Sequence, residues 1–166
     1  MREMGQHPAF MLRPGDGALD ADLAARGYRK HDPTVIMARP ALGLCEPDAG
    51  PVIFCEAPLV CMIELWSQGG IGPARLSVMN RASAPRTWLL ARAGDRPAGV
   101  GFVAVWDGVA MMHSLHVAPE TRRQGLAAQM IRATARWALR HDATNVALAV
   151  HPRQHARAGA PRGARV

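Results

Sequence analysis

Apolar residues fall along this chain in short blocks, and most blocks are closed by Gly or Pro. Pro8 and Pro14 enclose Ala9-Phe10-Met11-Leu12, which predicts a short strand bounded by breakers. Leu19 and Leu23, four apart, mark one face of a short helix over 19–26, and Gly27 stops it as a C-cap. Tyr28 then opens a second strand with Thr34-Val35-Ile36-Met37 as its apolar centre. Residues 40–51 hold three prolines and two glycines and read as a linker. Val52 to Cys55 is a short strand, Leu59 to Trp66 has helical spacing, and Leu76 to Asn80 extends a second helix beyond the Gly69–Pro73 break.

From Thr87 the pattern sharpens. Thr87 to Ala93 and Ala98 to Trp106 are strands joined by Gly94-Asp95-Arg96-Pro97, and Asp107-Gly108 is a strong two-residue hairpin signal. Val109 to Val117 is the third strand of this meander. Leu126, Met130, Ile131, Thr134, Trp137 and Ala138 share one face of a helix of about four turns. Asn145 to Val150 is a buried-type strand. A right-handed crossover through that helix makes it parallel to the strand ending at Val117. The organisation is therefore an N-terminal strand–helix–strand segment (1–45), an α/β core with a mixed central sheet flanked by helices (52–150), and a basic irregular tail (151–166).

Composition changes this picture little. At 166 residues with 49% apolar and 20% charged residues, the chain can bury a single core. No apolar run is long enough to span a bilayer, and residues 1–8 lack the apolar centre of a signal peptide. Cys45, Cys55 and Cys61 show no metal-ligand spacing, which fits reduced thiols in a cytoplasm and no metal. The net charge of +7 is uneven, since four arginines and no acid lie in 151–166, leaving +3 for the rest. Only Lys30 among the 20 basic residues is a lysine, and no basic face is interleaved with aromatics, so nucleic acid is a minor expectation.

The chemistry concentrates where the meander ends, in Leu115-His116-Val117-Ala118-Pro119-Glu120-Thr121-Arg122-Arg123-Gln124-Gly125-Leu126-Ala127. Strand, tight loop, glycine and helix N-terminus are the parts of a backbone anion site. Arg122, Gly125 and Ala127, preceded by Val117 and Pro119, resemble the pyrophosphate signature of the GNAT superfamily of N-acetyltransferases. The resemblance covers 87–150 well and 52–86 loosely. It implies an acetyl-CoA co-substrate between the strand ending at Val117 and the strand at 146–150, with an amine as acceptor. Backbone groups of Leu115 and Val117 then meet the pantetheine amides. The N–H groups of Arg123, Gln124, Gly125, Leu126 and Ala127 cradle the pyrophosphate, and Arg122 and Arg123 add charge. A Cβ at Gly125 is expected to obstruct close approach, and a side chain larger than that of Ala127 to crowd the phosphates.

Acetyl transfer to an amine needs a base. Where family members keep a carboxylate before the loop, this chain has Met111-Met112-His113-Ser114-Leu115-His116, so His113 is the candidate catalytic base. His116 is the alternative, on the opposite face if pairing is regular and not if the strand bulges. The family's tyrosine acid and closing strands have no counterpart after Val150. Two accounts stay open: a divergent tail, or a truncated or frameshifted ending, since Arg153 to Ala160 can be encoded so that a one-base shift reads Ala-Asn-Thr-Pro-Ala-Arg-Ala-Leu. The helix–Gly-aromatic–strand run at 19–37 resembles the family's closing segment at the wrong end of the chain, as a vestigial half-repeat or an ordinary αβ unit. An uncovered sheet edge predicts a homodimer, coverage by the N-terminal segment, or poor solubility. The favoured function is acetyl-CoA-dependent N-acetylation. The alternatives are a catalytically impaired CoA-binding protein and a basic nucleic-acid-associated protein.

Overall fold

The computed structural model describes residues 8–45 and 52–151. Its contacts divide the chain into two units, Met1–Pro33 and Thr34–Val166. In the first, α1 (Gly17–Ala25) ends in a Schellman turn. Gly27 sits at φ +83°, its N–H donates to Ala24 O (3.0 Å), and Tyr28 N–H donates to Leu23 O (3.0 Å). The strand expected over Ala9–Leu12 is not formed, because that run has no neighbouring strand with which to pair among the described residues. Phe10 instead stands edge-on to Tyr28, ring centroids 5.3 Å apart. The second expected strand also starts later than Tyr28, at Val35, so the N-terminal segment carries one strand rather than two.

The second unit is a six-stranded mixed sheet flanked by helices. Its elements are β1 (Val35–Pro40), β2 (Val52–Cys55), α2 (Val60–Gln68), α3 (Pro73–Asn80), β3 (Arg86–Ala93), β4 (Arg96–Trp106), β5 (Val109–Val117), α4 (Leu126–Leu139) and β6 (Asn145–Val150). The strand order is β1-β6-β5-β4-β3-β2, antiparallel except for β5 and β6. The β4–β5 hairpin closes at Asp107 (φ +48°) and Gly108 (φ +70°), the two left-handed residues that an Asp-Gly turn supplies. The edge of β6 is covered by β1, which pairs with it antiparallel from Val35↔Val150 to Pro40↔Asn145.

Each face of the sheet holds a core. On one side α4 buries Leu126, Met130, Ala133, Thr134, Trp137 and Ala138, the face its periodicity predicts, with Ile131 at the margin. Gly99 and Gly101 of β4 let α4 lie close: a Cβ at Gly99 would stand 3.0 Å from Met130 Sδ, and one at Gly101 3.3 Å from Met130 Cε. On the other side Met62, Leu65 and Trp66 of α2 and Met79 of α3 pack on Trp88, Leu90, Val100 and Phe102. No helix among the described residues is long and apolar enough to cross a membrane. Apart from His151, the tail at 151–166 lies outside the described residues, as does part of the 40–51 linker.

Candidate active site

The sheet opens where β5 meets β6. The parallel ladder joins Val109–Met112 to Asn145–Leu148 and stops there. Ala149 and Val150 continue against Ile36 and Val35 of β1, while β5 runs on to Val117 along β4. The edge of β5 from His113 to Val117 that faces away from β4 therefore has no strand partner among the described residues. Side chains take up Ser114 O and Val117 O, and the other outward backbone groups are a template for an extended, amide-bearing ligand.

β5 also bulges within this stretch. Val100 pairs with His116 and Phe102 with His113, so Ser114 and Leu115 face the single residue Gly101. Ser114 takes φ +50°, and its carbonyl accepts a hydrogen bond from Nε1 of the fully buried Trp66 at 2.8 Å. The extra residue shifts the alternation by one. His113 and His116, which regular pairing would put on opposite faces, both lie opposite residues of the α2–α3 core. Leu115 and Val117 pack toward the α4 core.

The loop beyond β5 forms a cavity of about 280 Å³ lined by Val117, Thr121, Arg122, Arg123, Gly125, Leu126, Ala127 and Ala128. Pro119–Thr121 makes one 3-10 turn, braced by Thr121 Oγ1 donating to Ala118 O (3.1 Å). Arg123 (φ +66°) and Gly125 (φ +84°) both adopt left-handed conformations, and Gly125 is the N-cap of α4 with no side-chain cap. The first N–H groups of α4 lack intrahelical acceptors, and the helix dipole adds partial positive charge at the same place. A Cβ at Gly125 would meet no protein atom within 4 Å. Within the chain itself, then, the glycine answers to its dihedral and not to crowding. Arg122 is folded back, its Nε donating to Val117 O at 3.0 Å.

Both imidazoles are held toward the neutral form. Burial, and then the Arg75 guanidinium of α3, lower the pKa of His113; its ring lies 6.3 Å from that of Phe102. For His116 burial again comes first, then Arg122, with Glu120 acting the other way.

The structure brings together Val117, Arg122, Arg123, Gly125, Leu126 and Ala127, while Gln124 is exposed beside the cavity and Leu126 turns its side chain into the core. His113 and Leu115 lie on the open stretch of β5. Thr121 and Ala128 also line the cavity but were not singled out in the sequence. The signals available for them were the Pro-Glu-Thr turn and the third position of the helix. No group of three His, Cys, Asp or Glu residues suited to a metal stands together among the described residues.

The model of the acetyltransferase (GNAT) family matches residues 54–160. Among solved structures, a conserved protein of unknown function from Staphylococcus epidermidis superposes with a TM-score of 0.57 at 12% identity over 92% of this chain, which spans 65% of that protein. A Klebsiella pneumoniae protein described as an acyl-CoA N-acyltransferase gives 0.52 at 19% identity, covering 67% of this chain and 79% of its own. The aminoglycoside 6′-N-acetyltransferase of Acinetobacter haemolyticus gives 0.50 at 18%, covering 70% and 94%. At such identities the likeness is one of fold. No curated protein matches the chain.

Proposed function

Since the chain belongs to the acetyltransferase (GNAT) family, we propose that it transfers an acetyl group from acetyl-CoA to an amine of a small molecule or protein. The observation that carries this reading is the parting of β5 from β6 after Met112, at the same end of the sheet as the α4 N-terminus. Acetyl-CoA supplies the activated thioester. Leu115 and Val117 offer backbone groups to its amide-bearing arm, and the loop from Arg123 to Ala127 offers N–H groups and dipole to its phosphates. Arg122, anchored on Val117 O, places positive charge beside the same cavity.

His113 accepts the proton that the acceptor ammonium must lose before its nitrogen can attack. An imidazole kept neutral by burial and by Arg75 is ready for that role at pH 7. The second reading, CoA binding without turnover, has one observation behind it. The chain's one tyrosine, Tyr28, packs on Phe10 within the 1–33 unit and is not part of the 54–160 match.

Calorimetry with acetyl-CoA and desulfo-CoA, followed by thiol release over a panel of amines, tests the assignment. Saturable binding of both nucleotides with thiol release on at least one amine is the expected result, with His113→Ala binding normally and turning over slowly. Binding without release on any amine favours the second reading. No binding of either nucleotide overturns both and leaves a nucleic-acid-associated protein to be tested.

A further inference from the structure

On the open part of β5, His116 packs against the end of α2. Gly69, at the C-terminus of α2, has φ −83°, where any residue is comfortable. Yet a Cβ there would stand 2.4 Å from His116 Nδ1, 2.7 Å from its Cε1 and 2.9 Å from its Cγ. The glycine therefore serves the imidazole: the last turn of α2 closes directly on the ring. The other nitrogen, Nε2, is buried and has no hydrogen-bond partner among the described residues. A buried polar atom without a partner is costly and uncommon, and on the stretch of β5 left open to a ligand it marks a group completed by what binds there.

The charges around the ring show what binding would change. Arg122 and Glu120, both from the loop after β5, are the side-chain charges acting on it. From α2 comes the negative end of the helix dipole at Gly69, and across β4 it faces Val100. With the loop empty, burial and Arg122 prevail and the ring is neutral. A pyrophosphate in the cavity neutralises Arg122, which lines it. Glu120 and the α2 terminus then both favour the imidazolium.

We propose that His116 is the proton donor of this site, taking up its proton when the phosphate loop is filled. This rests on the acetyl-transfer reading. In that role His116 supplies a proton for the departing thiolate. The atoms balance. The amine nitrogen bonds to the acetyl carbon, the carbon–sulfur bond breaks with its electron pair going to sulfur, and His116 Nε2 gives its proton to that sulfur. Nitrogen enters as ammonium and leaves as amide, releasing two protons through His113 to solvent. His116 regains one from solvent at the next round of donor binding.

The test is calorimetry of CoA and of desulfo-CoA near pH 7 in buffers of different ionisation enthalpy, paired with a histidine C2–H titration by NMR. Both nucleotides are expected to bind with net proton uptake, because the effect depends on phosphate and not on sulfur. The His116 resonance should titrate at higher pH when CoA is bound. His116→Gln should bind CoA and lose the uptake. Arg122→Met should raise the midpoint in the free protein and leave CoA little to add. Gly69→Ala, which displaces the ring without removing a polar group, identifies the resonance should the glutamine variant fail to fold. If CoA does not bind, the acetyl-transfer reading itself falls. If CoA binds without proton uptake, with uptake that survives in His116→Gln, or with no upward movement of the His116 midpoint, this inference alone is overturned.

Discussion

Gly125 offers two separable reasons for being glycine, and two substitutions tell them apart. Its φ of +84° and ψ of −2° lie in the left-handed region, while a Cβ would meet no protein atom. Alanine therefore incurs only the conformational cost, about 1–2 kcal/mol. For a chain of 166 residues that lowers Tm by roughly 2–8 °C, at about 2–4 °C per kcal/mol. Asparagine visits the same region readily, at less than about 1 kcal/mol. If clearance over the first N–H groups of α4 is what a phosphate needs, asparagine keeps the fold and still blocks the mouth. Losing one charge-assisted hydrogen bond, about 1.5–3 kcal/mol, weakens binding roughly 10- to 150-fold. Thermal unfolding and CoA calorimetry on both variants measure the two effects. Gly125→Asn with wild-type affinity for CoA refutes the cradle and leaves the glycine as part of an ordinary helix cap. Gly125→Ala with an unchanged Tm refutes the backbone argument.

Trp66→Phe leaves Ser114 O without its 2.8 Å donor beneath α2 and should cost about 1–3 kcal/mol in urea unfolding; an unchanged midpoint would show that the bulge needs no such anchor. Met130→Ala, at a fully buried site, should cost about 2–5 kcal/mol. Gly99→Ala presses the same side chain and should be less damaging in the Met130→Ala background than alone. His113 and His116 both bind protons less readily folded than unfolded. Below the unfolded value of 6.5 the unfolded chain therefore holds more protons, and stability falls with pH until the folded values are passed. Melting curves from pH 8 to pH 5 should show that decline, with a shallower slope in His113→Phe.

The meander, α4 and β6 were legible because each carries its own local signal. Asp107-Gly108 dictates its turn, Met130 and Trp137 share a face at helical spacing, and Val146–Val150 is apolar throughout. The turn into α4 was legible for the same reason, since Gly125 supplies the left-handed residue at its N-cap. What escaped was set by partners distant in sequence. Whether Ala9–Leu12 becomes a strand depends on a neighbour that is absent among the described residues, and Phe10 finds Tyr28 instead. The faces taken by His113 and His116 depend on one extra residue opposite Gly101 and on Trp66, 48 positions from Ser114. Periodicity assumes a regular ladder, so it cannot locate a bulge. The same holds for Arg122: its charge beside the loop is legible in the sequence, but the bond of its Nε to Val117 O is not.

β1 bears on the site more than its position suggests. β6 can leave β5 after Leu148 only if Val150 keeps backbone partners elsewhere, and β1 supplies them through Val35. The direction of its donors follows from its end. Pro40 has no N–H yet pairs with Asn145, and the next N–H, at Ala41, donates to Thr144 O at 2.8 Å. Donors at odd positions thus face β6, and those at even positions face outward. Met37→Pro removes a ladder donor opposite Leu148, at the last rung before the opening. Measured against Met37→Ala, which removes the same side chain, it should cost a further 1–3 kcal/mol or about that. Amide exchange should quicken at Leu148 and Val150, and CoA binding should weaken. Ile36→Pro removes a donor that faces away, from an exposed residue, and should do neither. Equal behaviour of the two proline variants, or fast exchange with unchanged CoA affinity, would mean that the cleft stays open without β1.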